Sequence, residues 1–189
     1  VLLQRNGEIT GLELLLHTCC GPCSIHSTEQ LLAEGCQPVL FFANPNIHPY
    51  GEYEARREGL AEVARLRGLP LLIEPAYDPE EYFRLVSFHE QERCRYCYEL
   101  RLGRAAAKAR ELGLARFGTT LLISPYQDRE LLLALGRRLA DRHGLTFHEA
   151  DWRPGFRASQ AKARELGIYR QKYCGCLYSE RERFCRPKP

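Results

Sequence analysis

Long hydrophobic runs are absent from this sequence of 189 residues. The longest apolar stretches, residues 14–16 and 39–43, are far shorter than the roughly 20 residues that a membrane-spanning helix needs. The opening segment contains the polar residues Gln4, Asn6 and Glu8 and no cleavage-like site, so we expect no secretory leader there. The sequence also lacks internal repeats. These absences exclude a membrane protein and a fibrous repeat, and they predict a cytoplasmic protein.

Lysine is scarce as well. The chain has 4 lysines against 23 arginines, and its net charge is only +3, which excludes histone-like binding of nucleic acid by bulk charge. The planar guanidinium of arginine suits phosphate groups and stacked bases. An arginine-rich composition also arises from GC-rich coding or a thermophilic source, so composition alone does not establish a nucleic-acid partner.

Apolar strands alternate with amphipathic helices along almost the whole chain. The predicted strands lie at 12–16, 38–43, 70–73, 117–122 and 145–148. The predicted helices lie at 24–34, 52–67, 80–92, 98–112, 129–142 and 157–166. Continuous rather than alternating apolar strands are typical of a parallel sheet covered by helices. We therefore predict an α/β fold: one domain over residues 1–189, a mostly parallel sheet of about five strands, and a frayed tail at 186–189. Ligands of such sheets collect beyond the carboxyl ends of the strands.

Cysteine, in contrast, is abundant, with nine residues. An odd count and a well-cored chain argue against a disulfide scaffold. Seven cysteines form three clusters at the ends of predicted elements: Cys19, Cys20 and Cys23 in CCGPCS, Cys94 and Cys97 in CRYC, and Cys174 and Cys176 in CGC. Cys36 is predicted to be a buried structural thiol, and Cys185 a bystander.

Three hypotheses can explain the clusters. The segment from Cys20 to Cys23 looks like the redox motif of a thioredoxin-like disulfide enzyme, but this leaves four clustered thiols unexplained. Structural zinc needs only four thiolates and is not required by a domain with a proper core. An iron–sulfur cluster takes thiolates from separate loops and tolerates further thiols nearby. The spacing favours the iron–sulfur hypothesis.

Six ordered segments resemble the QueH-type epoxyqueuosine reductases, the cobalamin-independent enzymes of tRNA queuosine biosynthesis. They are LLHTCCGPCS (15–24), NPNIHPYGEYEAR (44–56), ERCRYCYELRL (92–102), TTLLISPYQD (119–128), DWRPGFR (151–157) and GIYRQKYCGCLYS (167–179). The resemblance implies the nucleotide-hydrolase-like α/β fold of tRNA-thiolating enzymes. It also implies reduction of epoxyqueuosine to queuosine at the wobble position of tRNA, with electrons from a donor that the sequence does not identify.

The resemblance further implies a 4Fe–4S cluster. We expect Cys19, Cys20, Cys94 and Cys97 to hold it. Cys174 and Cys176 would then be a catalytic redox dithiol or the ligands of a second, mononuclear iron, and Cys23 could complete either site.

Removal of the epoxide oxygen needs protons, and the sequence offers several candidate donors. These are His17, Tyr126, Asp128, Asp151 and Tyr173. Asp151, which follows the last predicted strand, is the preferred catalytic residue, as acid or iron ligand, although Asp128 reads equally well as a helix cap. Bases of an anticodon loop are commonly held by stacking on aromatic and arginine planes. The predicted substrate contacts are Tyr126, Arg153, Arg157 and Tyr173, with Tyr169 and Arg170 beside them.

Other functions remain open from the residues alone. The chain could be an iron–sulfur electron carrier or a zinc-stabilised RNA-binding module without epoxide chemistry. A tRNA thiolase of the same fold would need a phosphate-binding Ser-Gly-Gly-x-Asp-Ser loop, where this sequence has CCGPCS at 19–24. We find no other glycine-rich phosphate loop and therefore expect no use of ATP.

Overall fold

A computed structural model describes residues 14–185 of the chain. Its centre is a five-stranded sheet in the order β3-β2-β1-β4-β5, in which every pair is parallel. The strands are β1 (Leu14–His17), β2 (Pro38–Phe42), β3 (Leu71–Ile73), β4 (Arg116–Thr119) and β5 (Thr146–Phe147). The predicted single α/β domain with a parallel sheet is confirmed. The predicted frayed tail at 186–189 and the first two residues of the predicted strand 12–16 lie outside the described residues.

Residues 14–185 form seven α-helices. They are α1 (Gly21–Ala33), α2 (Tyr50–Arg67), α3 (Pro79–Val86), α4 (Arg93–Glu111), α5 (Arg129–His143), α6 (Phe156–Glu165) and α7 (Leu177–Phe184). The helix ends follow local chemistry: Gly68 and Gly144 end α2 and α5 in the left-handed conformation. Asp78 and Asp128 cap α3 and α5 through their carboxylates.

Burial explains why the strands are continuous apolar runs. Every residue of β1 and β2 is buried, because helices cover both faces of the sheet at its centre. The edge strand β3 is only partly covered. The core therefore lies at the middle of the sheet, around Leu15, Leu40 and Phe117.

The structure differs from the sequence prediction around residues 80–92, where one helix was expected. Helix α3 ends at Val86, and the next residues carry a left-handed Phe88 (φ 64°) and a short 3-10 helix, Glu90–Glu92. No glycine or proline marks this break, so the sequence pattern missed it. Helix α4 consequently begins at Arg93, one turn earlier than predicted, and includes Cys94 and Cys97.

Two further differences concern elements close to the cysteines. Strand β4 ends at Thr119, and Thr120–Ile123 form a 3-10 helix rather than the end of a strand, because the Thr119 hydroxyl accepts a hydrogen bond from the Leu121 N–H. Helix α7 was not predicted beyond a short C-terminal segment. Its first turn is capped by Cys176, an unusual cap residue.

The strand order places a topological switch point between β1 and β4. The chain proceeds outward from β1 to β3 on one side and then returns to the other side of β1 as β4. Loops leaving the carboxyl ends of β1 and β4 therefore diverge and leave a crevice, which is where open α/β sheets bind ligands. The CCGPCS segment starts in this crevice. None of the helices within residues 14–185 is both long and apolar enough to cross a membrane.

Candidate metal centre

The three cysteines after β1 form a compact group of thiols. The Sγ atoms of Cys19, Cys20 and Cys23 all lie within 4.8 Å of one another, and all three residues are buried. Cys20 is the N-cap of α1 in an extended conformation, and Cys23 lies in the first turn of that helix. The partial positive charge of a helix N-terminus favours thiolates. This triad has the donor atoms and spacing to hold a metal ion.

Buried hydrogen bonds fix the turn that carries the triad. Thr18 donates its amide and its hydroxyl to the Phe41 carbonyl, at 2.8 and 3.0 Å. The Asn44 side chain donates to the Thr18 carbonyl at 2.9 Å. On the other side, the Ser159 hydroxyl of α6 donates to the Pro22 carbonyl at 2.6 Å. The turn is therefore anchored to β2, to the loop after β2 and to α6.

A second group of thiols comes from α4 and from the loop before α7. Cys94 and Cys97 lie three residues apart on α4, and Cys97 packs against Cys176 in a small apolar cluster with Tyr82 and Val86. Cys97 and Cys176 are buried, whereas Cys94 and Cys174 are exposed. The Gln127 amide lies 3.4 Å from the Cys174 Sγ. This group opens to solvent on the side of Cys94 and Cys174.

Arg56 holds the CGC loop in place. Its guanidinium donates to the carbonyls of Tyr173 and Cys174, at 2.9 and 2.8 Å, and pairs with Glu52 at 2.7 Å. Gly175 between the two cysteines has φ +140°, a conformation that other residues rarely adopt. Its carbonyl accepts a hydrogen bond from the His48 amide at 2.8 Å. The segment after β2 therefore positions Cys174 and Cys176.

Arg101 lies between the two groups of thiols. It follows Cys97 by one helical turn on α4 and is 1% exposed. Its guanidinium donates to the Asn44 side chain at 2.8 Å and lies 3.8 Å from the Cys97 Sγ. Cys19 and Cys174 also interact with its charge. One buried cation therefore faces thiols from all three sequence clusters.

These surroundings shift the pKa values of the thiols in opposite directions. Hydrogen bonds from Cys20 and Cys23 hold the pKa of Cys19 well below its usual range, and the Arg101 and Arg56 charges act in the same direction. Burial raises the pKa of Cys97 to about 12 against the opposing charge of Arg101. The triad is thus arranged to share one negative charge, centred on Cys19.

A buried phenol faces the second group of thiols. Tyr82 is 1% exposed, and among residues 14–185 its hydroxyl has no nitrogen or oxygen partner, while the Cys176 thiol lies beside it. Burial raises the pKa of Tyr82, and the neighbouring Cys176 and Cys97 raise it further. The phenol therefore stays protonated and can donate a hydrogen bond to sulfur in this group.

The side chains of His17, Tyr173 and Asp128, three of the predicted proton donors, make hydrogen bonds within the protein. His17 is fully buried, and burial together with Arg101 lowers its pKa to about 3. Its ring contacts the Thr119 hydroxyl at 2.9 Å. Tyr173 donates its hydroxyl to the His48 carbonyl at 2.6 Å. The Asp128 carboxylate accepts from the Leu131 amide, which confirms its role as a helix cap.

Asp151 is exposed and paired with Arg153. The carboxylate accepts two hydrogen bonds from the Arg153 guanidinium, at 2.7 and 2.6 Å, and one from the Arg153 amide. These bonds lower the pKa of Asp151 to about 2. Near neutral pH this residue is therefore an ionised carboxylate and has no proton to donate.

The predicted substrate contacts lie mostly on the surface. Tyr126 is 83% exposed, and its ring meets Phe156 edge-on at 5.9 Å between centroids. Arg157, next to Phe156, and Arg153 are also exposed. Tyr126 and the start of α6 therefore form one aromatic and basic surface, and Tyr173 is half-buried below the Arg56 guanidinium.

Sequence reasoning missed several residues of this centre. Arg56, Arg101, Tyr82 and Gln127 contact or face the thiols, yet none was selected from the sequence. In a chain with 23 arginines, two buried arginines do not stand out. One signal was available: Arg101 follows Cys97 by four residues, which is the spacing of one face of a helix.

Comparisons with known proteins agree with these motifs. Residues 14–182 match the sequence profile of the epoxyqueuosine reductase QueH family. An epoxyqueuosine reductase QueH of Dehalococcoides mccartyi is 39% identical over 175 residues, which are 93% of this chain and 96% of that protein. The proteins of the same name from Thermotoga maritima and Haemophilus influenzae are 33% and 35% identical, and the matches cover 90% of this chain and 91% and 72% of theirs.

A solved structure shares the fold at low sequence identity. It is a predicted subunit of a tRNA methyltransferase from Methanocaldococcus jannaschii, with a TM-score of 0.56 and 16% identity over 82% of this chain and 75% of that one. This likeness supports the α/β architecture alone. The sequence relatives carry the identification: this chain belongs to the epoxyqueuosine reductase QueH family.

Proposed function

We propose that this protein reduces epoxyqueuosine to queuosine at the wobble position of tRNA. Family membership supports this activity, because the relatives carry the name of that reductase over nearly the whole chain. The observation that carries the proposal is the meeting of thiols from three distant segments around one buried arginine. We also propose that the enzyme works in the cytoplasm, because its proposed substrate is tRNA.

The thiol arrangement fits an iron–sulfur cofactor, which we propose to be a 4Fe–4S cluster. The thiol triad lies on one side of the buried Arg101 and Cys97 and Cys174 on another, and the Tyr82 phenol adjoins Cys176. Cys19, Cys20, Cys94 and Cys97 are the proposed cluster ligands. Cys174 and Cys176 supply either a redox dithiol or the ligands of a second iron, and Cys23 completes either site. A cluster bound here supplies electrons one at a time.

The proposed reaction is a two-electron reduction of the epoxide that needs no other co-substrate. Two electrons and two protons convert the epoxide into an alkene and one molecule of water, with both carbon–oxygen bonds broken. The electrons originate from an external donor, and the protons enter from solvent through the exposed side at Cys94 and Cys174. His17, Tyr173 and Asp151 are held in other hydrogen bonds, so solvent delivery fits the geometry better than any of them as the acid.

Substrate RNA is proposed to lie across the surface of Tyr126, Arg153 and Arg157. An exposed tyrosine ring and two exposed guanidinium groups can stack on unpaired bases and bind phosphates. Tyr173 lies deeper and would contact the base that enters the centre. Asp151 stays in this proposal as the partner that orients Arg153, or as an iron ligand, in its ionised form.

Anaerobic turnover tests the proposed function. Protein reconstituted with iron and sulfide is incubated with tRNA carrying epoxyqueuosine and a chemical reductant, and nucleosides are analysed after digestion. We expect queuosine to accumulate only with the loaded protein. An intact cluster that leaves the substrate unchanged would instead favour an electron carrier, and a colourless protein with bound zinc would favour an RNA-binding module.

Asp151 has its own test in the same assay. We expect Asp151→Asn to lower turnover, because the neutral amide loses the charge that holds Arg153 and the ligand oxygen that an iron would use. Iron content is measured in parallel and separates these two roles. If the variant keeps both its iron content and its turnover, Asp151 has no part in the reaction.

A further inference from the structure

Arg101 carries a buried charge that no carboxylate neutralises within residues 14–185. Its guanidinium is 1% exposed and contacts the His17 ring, the Asn44 side chain and the Cys97 thiol. Neither the His17 imidazole nor the Asn44 amide can supply a negative charge. Among the residues that the structure describes, no carboxylate forms an ion pair with Arg101. An isolated charge buried in protein costs several kcal/mol, so the site is built to contain an anion.

Arg56 and Arg104, in contrast, each have a carboxylate partner that neutralises the charge. Arg56 is equally buried but pairs with Glu52 at 2.7 Å. Arg104, one turn further along α4, pairs with Glu74 and Glu81. Of the three, Arg101 alone has only sulfur as a source of negative charge. The cysteines that interact with its charge are Cys97, Cys19 and Cys174, one from each sequence cluster.

We propose that Arg101 is the counter-ion of the cofactor centre and sets its reduction potential. This inference rests on the proposed function, because it assumes that the thiols hold an iron–sulfur cluster. Arg101 is a positioning residue: it acts on the reaction through the thiolates and contacts no substrate. His17 and Asn44 hold the guanidinium in place while leaving its charge uncompensated for the cluster.

The electrostatic consequence has a definite sign. A thiolate-ligated iron–sulfur cluster is an anion, and one-electron reduction makes it more negative. A cation in a dry interior stabilises the reduced form more than the oxidised form. Removal of the charge therefore lowers the reduction potential, so the cluster becomes harder to reduce.

The experiment compares three variants of the reconstituted protein by spectroscopic redox titration under anaerobic conditions. Arg101→Gln removes the charge and keeps a donor, Arg101→Lys keeps the charge, and Arg104→Gln is the matched control because its charge is already paired with carboxylates. We expect a more negative potential for Arg101→Gln, a smaller shift for Arg101→Lys, and the wild-type potential for Arg104→Gln.

A second measurement covers the case in which Arg101→Gln does not retain the cluster. The melting temperature of each variant is recorded without and with the cluster, and the gain on loading is compared. We expect a smaller gain for Arg101→Gln than for wild type, since the uncharged variant has no buried cation for the cluster to neutralise. A merely structural arginine would lower both temperatures equally and leave the gain unchanged.

The outcomes separate this inference from the proposed function. A wild-type protein that takes up iron and sulfide, together with an Arg101→Gln variant of unchanged potential and unchanged gain, overturns the role of Arg101 and leaves the proposed function standing. If Arg101→Gln and Arg101→Lys shifted the reduction potential equally and reduced the gain in melting temperature equally, a role that depends on charge would also be contradicted. A wild-type protein that takes up no iron after reconstitution contradicts the proposed cofactor itself.

Discussion

Cys20 and Cys36 are both buried thiols, but their surroundings give them different roles. Cys20 is fully buried within 4.8 Å of two other Sγ atoms. Cys36 is 3% exposed and belongs to the hydrophobic core around β2, which confirms the prediction of a buried structural thiol. Exposure alone therefore does not single out a ligand; its place in the thiol triad makes Cys20 the candidate ligand.

This contrast gives a matched pair of substitutions. We expect Cys20→Ala to lose most of the iron after reconstitution, because the triad loses a donor at its centre. Cys36→Ala should keep the iron content of the wild type and cost about 1 kcal/mol of unfolding free energy. Iron assays and urea unfolding measure the two effects. Equal iron content in both variants would remove Cys20 from the set of ligands.

Gly175 is a residue whose role follows from its backbone. At φ +140°, an added Cβ would lie 3.1 Å from the Ile47 side chain and 3.3 Å from the Arg56 guanidinium. We expect Gly175→Ala to lower the unfolding free energy by about 1–3 kcal/mol and to reduce iron content by shifting Cys174 and Cys176.

Gly35 supplies the control for Gly175. It also has a positive φ, +75°, but an added Cβ there meets no atom within 4 Å. Gly35→Ala should therefore lower the unfolding free energy measured in urea, because alanine is strained at this φ, and should leave the iron content at the wild-type level. A Gly175→Ala protein with full iron content would show that the CGC loop tolerates a different path.

At the scale of elements, the close packing of α1 on α2 positions the cysteine triad. A Cβ on Gly21, the first residue of α1, would lie 2.5 Å from the Gly59 carbonyl oxygen of α2 and 2.8 Å from the Ile168 side chain. The lack of a side chain at Gly21 allows the two helices to approach so closely at this point. The start of α1, with Cys20 as its cap, is therefore set by helix packing as well as by hydrogen bonds.

Gly21→Ala tests this packing directly. We expect a loss of about 1–3 kcal/mol in unfolding free energy from overpacking, together with lower iron uptake, because the contact is with backbone that cannot move aside. Gly103→Ala is the matched control within α4, where an added Cβ meets no atom within 4 Å. That change should stabilise the protein by about 0.5–1 kcal/mol. Urea unfolding of both variants would contradict the packing argument if both were neutral.

The sequence predicted the elements well where one physical signal dominated. Continuous apolar runs located the five strands, because burial on both faces of the sheet leaves a clear pattern. The predicted end of the helix 52–67 was also correct, because Gly68 ends α2 in the left-handed conformation. The start of α4 was misplaced because no glycine or proline marks the break after Val86, where the backbone turns through a left-handed Phe88. Arg101 was missed because its burial follows from the topology, which brings α4 across the carboxyl end of β1.

At the scale of the whole molecule, the small net charge of +3 does not show where the exposed arginines lie. The surface at Tyr126, Arg153 and Arg157 lies on loops and helix starts beyond the carboxyl ends of the strands, whereas Arg65 lies in the last turn of α2, which leads to the amino end of β3. Both ends of the sheet carry exposed arginines. Only the first adjoins the thiols, so the two ends should behave differently toward RNA.

Salt dependence distinguishes the two surfaces. We expect binding of an anticodon stem-loop to weaken as salt rises, and Arg157→Ala to reduce the slope of log affinity against log salt by roughly one. Arg65→Ala removes an equal charge at the other end of the sheet and should leave the slope unchanged. Fluorescence anisotropy over a salt series measures both. Equal slopes for both variants would mean that RNA does not contact the α6 surface.

The three cysteine segments that meet at Arg101 are far apart in the sequence and are therefore synthesised at different times. Cys19 is synthesised long before Cys176, and at about 5–20 residues per second the interval is on the order of ten to thirty seconds. During that interval the cysteine triad is present and the CGC loop is not. In the folded protein, Arg56 and His48 hold that loop in place. Assembly of the complete centre must therefore wait until the CGC segment has been synthesised, and a nascent chain exposes three thiols to metal ions before the rest of their site exists.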